Sequence, residues 1–369
     1  MRILVDARTG WGAGIGRYVT NIVPLVATLM PEALFNILVP PAEYDKAKRL
    51  FAMLANIEVT ACDIAPFSAR EQFALERFAA GHDLTWFTNY WVPLGWKGRY
   101  FAVVHDLLHL RPDLLPASPL KRIAAHLTFR KLQKSAAGLL FISRFTQRQF
   151  EKKFGTPRES RVQHNGIDHA GWQPFDPENP PAKAKRVLAV GAPKKHKNFE
   201  TAIEAWRSAK VSDDWIFTIV APRLDLRSGI DLEAMIRDVD RIDLRRNISN
   251  EELRHLYSEA AIILTPSLYE GFGLPLLEGM QAGAACISAP AEALVEISSG
   301  ATIEFVNGQD IPGWAEAIER ACRKHPVNKD IQKANMLYAR AYSWSRVAQV
   351  TTELISDALM LSRPIVPEA

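Results

Sequence analysis

The chain has 369 residues, 48% of them hydrophobic, and a formal net charge of +4. Its length exceeds the ~250 to 300 residues at which a single core stops growing, so two domains are expected. No apolar run approaches the ~18 residues of a membrane span, and Met1 to Asp6 enters a strand directly where a leader would carry an apolar core and a cleavage site. Cys62, Cys286 and Cys322 are odd in number and far apart, as in a reducing compartment, so the expected location is cytoplasmic.

Strand-like runs alternate with helical periodicity through the first half: Ile3 to Ala7, Phe35 to Val39, Ile57 to Ala61, Leu84 to Thr88, Phe101 to His105 and Gly138 to Ile142. This alternation predicts an α/β fold, a parallel sheet with helices on both faces. After the first strand, Trp11-Gly-Ala-Gly-Ile-Gly-Arg-Tyr18 opens a helix where a dinucleotide fold places its phosphate loop. A nicotinamide site is disfavoured, because the glycines alternate as Gly12, Gly14 and Gly16. The second strand also ends in Pro40-Pro41, where an acidic residue would be expected ~20 residues on. A tight turn of purely structural purpose is the other reading of this loop. Further on, Val103-Val104-His105-Asp106-Leu107 ends a strand at the binding edge, and no Gly-x-Ser-x-Gly elbow accompanies it, which argues against a hydrolase triad. His109, three residues beyond Asp106, has no third ligand close in sequence, so no metal site is assigned.

Charge is unevenly spread. Met1 to Ala170 carries +8 and the remainder −4, and between Lys121 and Arg161 eleven basic residues face only Glu151 and Glu159. Such a run is either a solvated helix face or a patch that docks on anionic lipid headgroups. It alternates with Leu-Leu-Phe-Ile rather than presenting aromatics, so nucleic acid is not an expected partner.

From Ile167 to Arg186 the chain holds four prolines and no periodicity, which marks a linker. A second series begins with the strand Arg186 to Gly191 and continues through Val190-Gly-Ala-Pro-Lys-Lys-His-Lys-Asn198, with Asn198 placed to cap a helix carrying Phe199, Ala202, Ile203 and Trp206 on one face. Ser249 and Glu252 form a capping box before Leu253, Leu256, Tyr257 and Ala260. The apolar run Ala261 to Pro266 then leads into Ser-Leu-Tyr-Glu-Gly-Phe-Gly-Leu-Pro-Leu-Leu-Glu, residues 267 to 278. Gly271 and Gly273 permit a sharp turn and close approach of a ligand, Pro275 suits a first helical turn, and amides there would face an anion. Glu270 precedes the turn and Glu278 lies about one turn inside the helix, so both carboxylates could reach hydroxyls of one ligand whose phosphate rests on the helix start. Sugar and phosphate together imply a nucleotide sugar. A final helix from about Ser343 to Leu361 closes the pattern.

Two glutamates separated by seven residues around Gly-Phe-Gly-Leu-Pro resemble the signature of retaining glycosyltransferase family 4. Gly-Ile-Gly-Arg-Tyr at 14 to 18, Gly191 with Lys197-Asn198, and Asn165-Gly166-Ile167-Asp168 fall in the order seen in that family. The resemblance implies a GT-B fold, two Rossmann-like doubly wound domains facing a central cleft. It implies an acceptor-binding domain over 1–170 with a returning helix over 345–369, and a nucleotide-sugar domain over 171–344. It also implies roles. His105 contacts the O6 hydroxyl of the transferred sugar, Lys197 meets the diphosphate, Glu270 orients the sugar and Glu278 the nucleotide ribose. Gly14, Gly16, Gly191, Lys195, Gly271, Phe272, Gly273 and Leu274 line the donor. Where many relatives carry an arginine beside this glycine or lysine, Ala192 and His196 stand here, and Lys194 or Lys195 would compensate.

The resulting expectation is a retaining hexosyltransferase in which the leaving diphosphate accepts the acceptor's proton on the same face. Mannose from GDP-mannose is the donor that this branch suggests, and a UDP-hexose, a deoxysugar nucleotide or a non-catalytic sugar-nucleotide binder are the alternatives. The expected acceptor is a lipid-linked or polysaccharide glycan. No Asp-x-Asp pair suited to a nucleotide-bound cation is present, so no metal or cofactor is expected.

Overall fold

The computed structural model describes residues 1–9, 11, 14–116, 118–168, 176–222 and 230–360. Gly12 of the first glycine loop, 169–175 of the expected linker and 361–369 of the expected returning helix lie outside the described residues. The chain divides into two compact units. One comprises Met1–Leu110, Ala117–Gly166 and Trp344–Ala369, and the other Arg111–Pro116 and Ile167–Ser343. The short excursion Arg111–Pro116 had no sequence signal, since it lies inside the first series of strands.

The first unit runs β1 (Arg2–Asp6), α1 (Gly14–Leu29), β2 (Leu34–Val39), α2 (Tyr44–Phe51), β3 (Ile57–Ala61), α3 (Glu71–Ala74), β4 (Leu84–Phe87), β5 (Tyr100–Val104), α4 (Pro119–Ser135), β6 (Gly138–Phe141), α5 (Arg144–Phe154) and β7 (Ser160–Val162). All described pairings are parallel, in the order β3-β2-β1-β4-β5-β6-β7. Strands β4, β5 and β6 are buried at every position, as expected of a sheet covered on both faces.

The second unit runs β8 (Ala184–Val190), α6 (Phe199–Ser208), β9 (Ile216–Ala221), α7 (Leu232–Ile236), β10 (Ile242–Arg246), α8 (Asn250–Glu259), β11 (Ala260–Thr265), α9 (Leu274–Gln281), β12 (Ala285–Ser288), α10 (Glu292–Ile297), β13 (Ile303–Phe305), α11 (Ile311–Arg323) and α12 (Lys329–Ala339). Its parallel order is β10-β9-β8-β11-β12-β13. Ile167 bridges Ser343, and its amide donates to the Tyr342 carbonyl (3.1 Å) where the chain enters and leaves this unit.

The last helix, α13 (Trp344–Met360), packs in the first unit. Trp344 meets Tyr18 of α1 at 6.3 Å, and a Cβ at Gly138 of β6 would come within 2.7 Å of Leu354. In both sheets the strand order reverses once, between β1 and β4 and between β8 and β11. Ligands of open α/β sheets bind outside the carboxyl ends of strands at such a reversal.

Candidate functional site

In the first unit, the loops that follow β1, β4 and β5 are tied together at that edge. The Asp6 carbonyl accepts from the Thr88 hydroxyl (2.7 Å), and the Thr88 carbonyl in turn accepts from His105 Nε2 (2.8 Å). A carbonyl can only accept, so Nε2 carries the proton and Nδ1 is left as the acceptor. Burial pushes the His105 ring below the usual imidazole range, against the opposing pull of the Thr88 carbonyl and Asp106, so it is neutral near pH 7. Tyr18 packs edge-on against the ring at 5.3 Å. A neutral imidazole held this way suits a hydroxyl donor. Gly14 opens α1 with open space where a Cβ would stand, whereas Gly16, also in the first turn, is buried. His109 is engaged by the Tyr90 hydroxyl (2.8 Å), and Asp106 accepts from the Leu108 amide (2.8 Å).

One feature of this edge has no sequence signature. Arg8, at the end of β1, is 4% exposed and donates to Asp6 (2.8 Å), the Ile64 carbonyl (2.8 Å) and Glu71 (2.5 Å). The other oxygen of Glu71 accepts from the Phe67 amide (2.8 Å) and Trp91 Nε1 (2.7 Å). Burial raises the Glu71 carboxyl, but with every partner a donor the group is held as a carboxylate. Glu71 is distant in sequence from Asp6 and Arg8, and no motif announces it.

In the second unit, the loops after β8 and β11 emerge side by side at the strand-order reversal. Lys197 closes a short 3-10 turn begun by Lys195, and its Nζ donates to Glu270 Oε1 at 2.6 Å. Both side chains are largely enclosed, 17% and 10% exposed. Burial raises the Glu270 carboxyl, but the Lys197 charge and hydrogen bond, with the Ser267 hydroxyl and His196, outweigh it and hold it below the usual carboxylate range. The two residues assigned separately to sugar and diphosphate thus form one ion pair. Lys195 itself is exposed, and Gly191 packs against the Lys197 stem with room for ordinary contact.

Asn198 corrects the expectation of a side-chain cap. It sits at the N-cap of α6 in the left-handed region, φ 54° and ψ 39°, and its side chain accepts no helix amide. Its amide instead donates to the carbonyls of Pro266 (3.1 Å) and Gly308 (2.5 Å), binding together the loops after β8, β11 and β13, and its oxygen accepts from Thr201 (2.9 Å). Long-range carbonyl partners outcompeted the local cap.

The turn beyond Glu270 follows the expected geometry. Gly273 has φ 110°, and a Cβ there would stand 2.2 Å from Leu294 Cδ2, so both conformation and space require glycine. Leu274 and Pro275 begin α9, Phe272 is buried against Tyr342, and Glu278 is 6% exposed on that helix. Arg111, from the excursion, lies 5.6 Å from the Tyr269 ring centre and bonds Asp113 (2.7 Å), bringing a guanidinium beside the residue before Glu270. Among the described residues no three His, Cys, Asp or Glu side chains group as a metal site.

Residues 184–324 match the family model described as "Glycosyl transferases group 1". The chain is similar to the O-antigen chain mannosyltransferase RfbU of Salmonella typhimurium, 28% identical over 69% of each chain. It is also similar to the GDP-mannose:cellobiosyl-diphosphopolyprenol alpha-mannosyltransferase of Xanthomonas oryzae pv. oryzae, 26% identical over 56% of this chain and 55% of that one. Among solved structures, sucrose-phosphate synthase from Thermosynechococcus elongatus superposes with a TM-score of 0.79 at 18% identity, covering 98% of this chain and 100% of the other. Two doubly wound sheets with this strand order, the matched segment and relatives named for glycosyl transfer make this chain a glycosyltransferase enzyme of GT-B fold.

Proposed function

We propose that the chain is a retaining hexosyltransferase of family 4 type, moving mannose from GDP-mannose to a hydroxyl of a lipid-linked or polysaccharide acceptor with an α-linkage. The observation that carries this reading is the enclosed Lys197–Glu270 pair at the strand-order reversal of the second unit, flanked by the Gly271–Leu274 turn. Named relatives that transfer mannose support the sugar, and one named for GDP-mannose supports the donor. In the proposed step the bond from the sugar C1 to the donor diphosphate breaks, and a bond from C1 to the acceptor oxygen forms on the same face. The acceptor's proton passes to a diphosphate oxygen, and the products are GDP and the glycoside. Lys197 and the amides that open α9 neutralise charge building on the diphosphate, which is where a preorganised site acts most strongly. Glu270, held ionised by Lys197, accepts from sugar hydroxyls; Glu278 accepts from the ribose, and His105 Nδ1 accepts from a hydroxyl at its own edge. No divalent cation is required in this scheme.

A thermal-shift screen of GDP-mannose, UDP-glucose and a deoxysugar nucleotide, followed by transfer to a polyprenyl-diphosphate glycan and NMR of the new anomeric centre, tests it. Stabilisation and turnover with GDP-mannose and an α-product are expected. Selective response to a UDP-hexose would overturn the donor, and a β-product would overturn retention.

A further inference from the structure

The outward face of α4 is apolar at one end and basic at the other. Ala125, Thr128, Phe129 and Leu132 bury one side of this helix. On the opposite side, at helical spacing, stand Leu120, Ile123, Leu127, Arg130 and Lys134. The three aliphatic residues are 75%, 56% and 44% exposed, so the chain leaves a row of large side chains in water. Single exposed leucines are ordinary, but three in register on the solvent side of one helix mark a surface that meets something.

What it meets is indicated by its neighbours. The adjacent helix α5 exposes Arg144, Arg148, Lys152 and Lys153. The two helices join where His126 contacts Phe154 at 5.0 Å and Phe129 contacts Phe154 at 5.5 Å. Arg130 from one helix and Lys153 from the other both act electrostatically on His126, so the basic groups gather at this seam. An apolar row bordered by cations fits a layered partner whose headgroups are anionic and whose interior is hydrocarbon. The placement within the first unit adds a reason: α4 follows β5, so its amino-terminal end, the apolar one, lies at the sheet edge that carries His105.

We propose that α4 and α5 form a membrane-docking surface in which Leu120, Ile123 and Leu127 enter the interface of an anionic bilayer while Arg130, Lys134, Arg144, Arg148 and Lys152 pair with its headgroups. Docking there presents the acceptor edge of the first unit to lipid-linked substrates. The surface stands independently of the donor assigned above.

Cosedimentation of the full chain with phosphatidylcholine vesicles, and with vesicles containing 30% phosphatidylglycerol, tests the proposal. Binding to the anionic vesicles is expected, weakening as salt rises from 0.1 to 1 M and shortens the Debye length from ~10 to ~3 Å. The variant Leu120→Ser/Ile123→Ser/Leu127→Ser should lower the partition coefficient by at least about tenfold, since each removes apolar surface from the interface. Arg130→Glu/Lys134→Glu/Arg148→Glu should abolish the salt-sensitive part. All changed residues are on the outward face, and unchanged melting curves would show that the fold survives. Absence of binding to anionic vesicles at low salt, equal binding to both vesicle types, or an unaffected triple-serine variant would overturn it. So would a dimer in sedimentation velocity that the triple-serine change dissolves, because the face would then belong to a second copy. Turnover of a short water-soluble acceptor, read in parallel, separates failure of docking from failure of the catalytic reading.

Discussion

The Lys197–Glu270 pair permits a test that needs no substrate. At 2.6 Å and an effective dielectric of ~20, gross attraction between unit charges is about 6 kcal/mol, falling to ~1.6 kcal/mol at the dielectric of water. Desolvation of two nearly enclosed groups offsets much of this, so the intact pair contributes little net stability. Breaking it is different. Lys197→Met leaves a carboxylate for which only the Ser267 hydroxyl and His196 still oppose burial, and Glu270→Gln leaves an enclosed ammonium beside an amide. With part of each side chain still reaching solvent, ~2 kcal/mol is expected for either variant, below the ~3 to 5 kcal/mol of a fully buried pair. In a domain of this size that is a fall of roughly 4 to 8 °C in melting temperature. The double variant Lys197→Met/Glu270→Gln removes both charges and should lose at least about 1 kcal/mol less than the sum of the singles.

The sign of the pH response follows from the same geometry. In the native protein the Glu270 carboxyl is held below its ordinary range, so its contribution is present above pH ~4.5 and is lost as pH falls through the lower folded value. In Lys197→Met burial is opposed only by the Ser267 hydroxyl and His196, so the folded value rises and the cost of the buried charge appears as pH climbs. Lys197→Met should therefore be more destabilised relative to wild type at pH 8 than at pH 5. Thermal unfolding of the four proteins at both values measures this. Additive losses, or a Lys197→Met deficit that grows on acidification, would refute an ion pair of this kind.

Glu270→Ala should lower transfer by at least about 10²-fold, the scale of one preorganised electrostatic contact, while Glu278→Ala mainly raises the Kd for nucleotide by calorimetry. Turnover should survive EDTA, and loss on chelation restored by manganese would contradict the proposed charge neutralisation. Gly273→Ala combines φ 110° with a contact of 2.2 Å to Leu294, so a loss of ~2 to 4 kcal/mol is expected, read as a lowered melting temperature. Lys183, 9% exposed and donating to the carbonyls of Ser258 (2.8 Å) and Ala282, has its ammonium pushed down to about 8 by burial. The folded state therefore holds that proton less tightly than the unfolded chain, and wild type should gain stability over Lys183→Met between pH 8 and 10, by urea midpoints.

Strands β1 to β6, β8 and β11 were legible because each is a short run rich in apolar residues followed by turn residues or a helical pattern, whereas β7, β10 and β13, short or charged and only partly buried, carried no such signal. The Gly271–Gly273 turn was legible because its backbone conformation and its contact with Leu294 leave one residue type. What the sequence concealed are charges satisfied across long separations. Glu71 reads as an ordinary first-turn glutamate of α3, yet it completes the shell of Arg8. Arg111 reads as part of the loop after β5, yet its segment belongs to the second unit, beside Tyr269.

Asn198 shows why local rules fail where loops converge. Its type and position satisfy every requirement of a helix cap, and a cap to Ala contributes typically ~1 kcal/mol. Two loop carbonyls, Pro266 and Gly308, would otherwise be left at the strand ends without this donor, and a buried acceptor left unmade costs ~1 to 3 kcal/mol each. The larger demand sets the side chain, and the backbone accepts φ 54° to meet it. Fixing Pro266 fixes the start of the loop that carries Ser267 and Glu270, so the position of the carboxylate depends on an asparagine whose sequence context points to another role. Asn198→Asp retains a cap acceptor and deletes the amide donor. It should therefore be the more damaging of the two when set against Asn198→Gly, which loses the side chain but relieves the left-handed strain. The reverse order in melting temperature would return Asn198 to the helix-cap role.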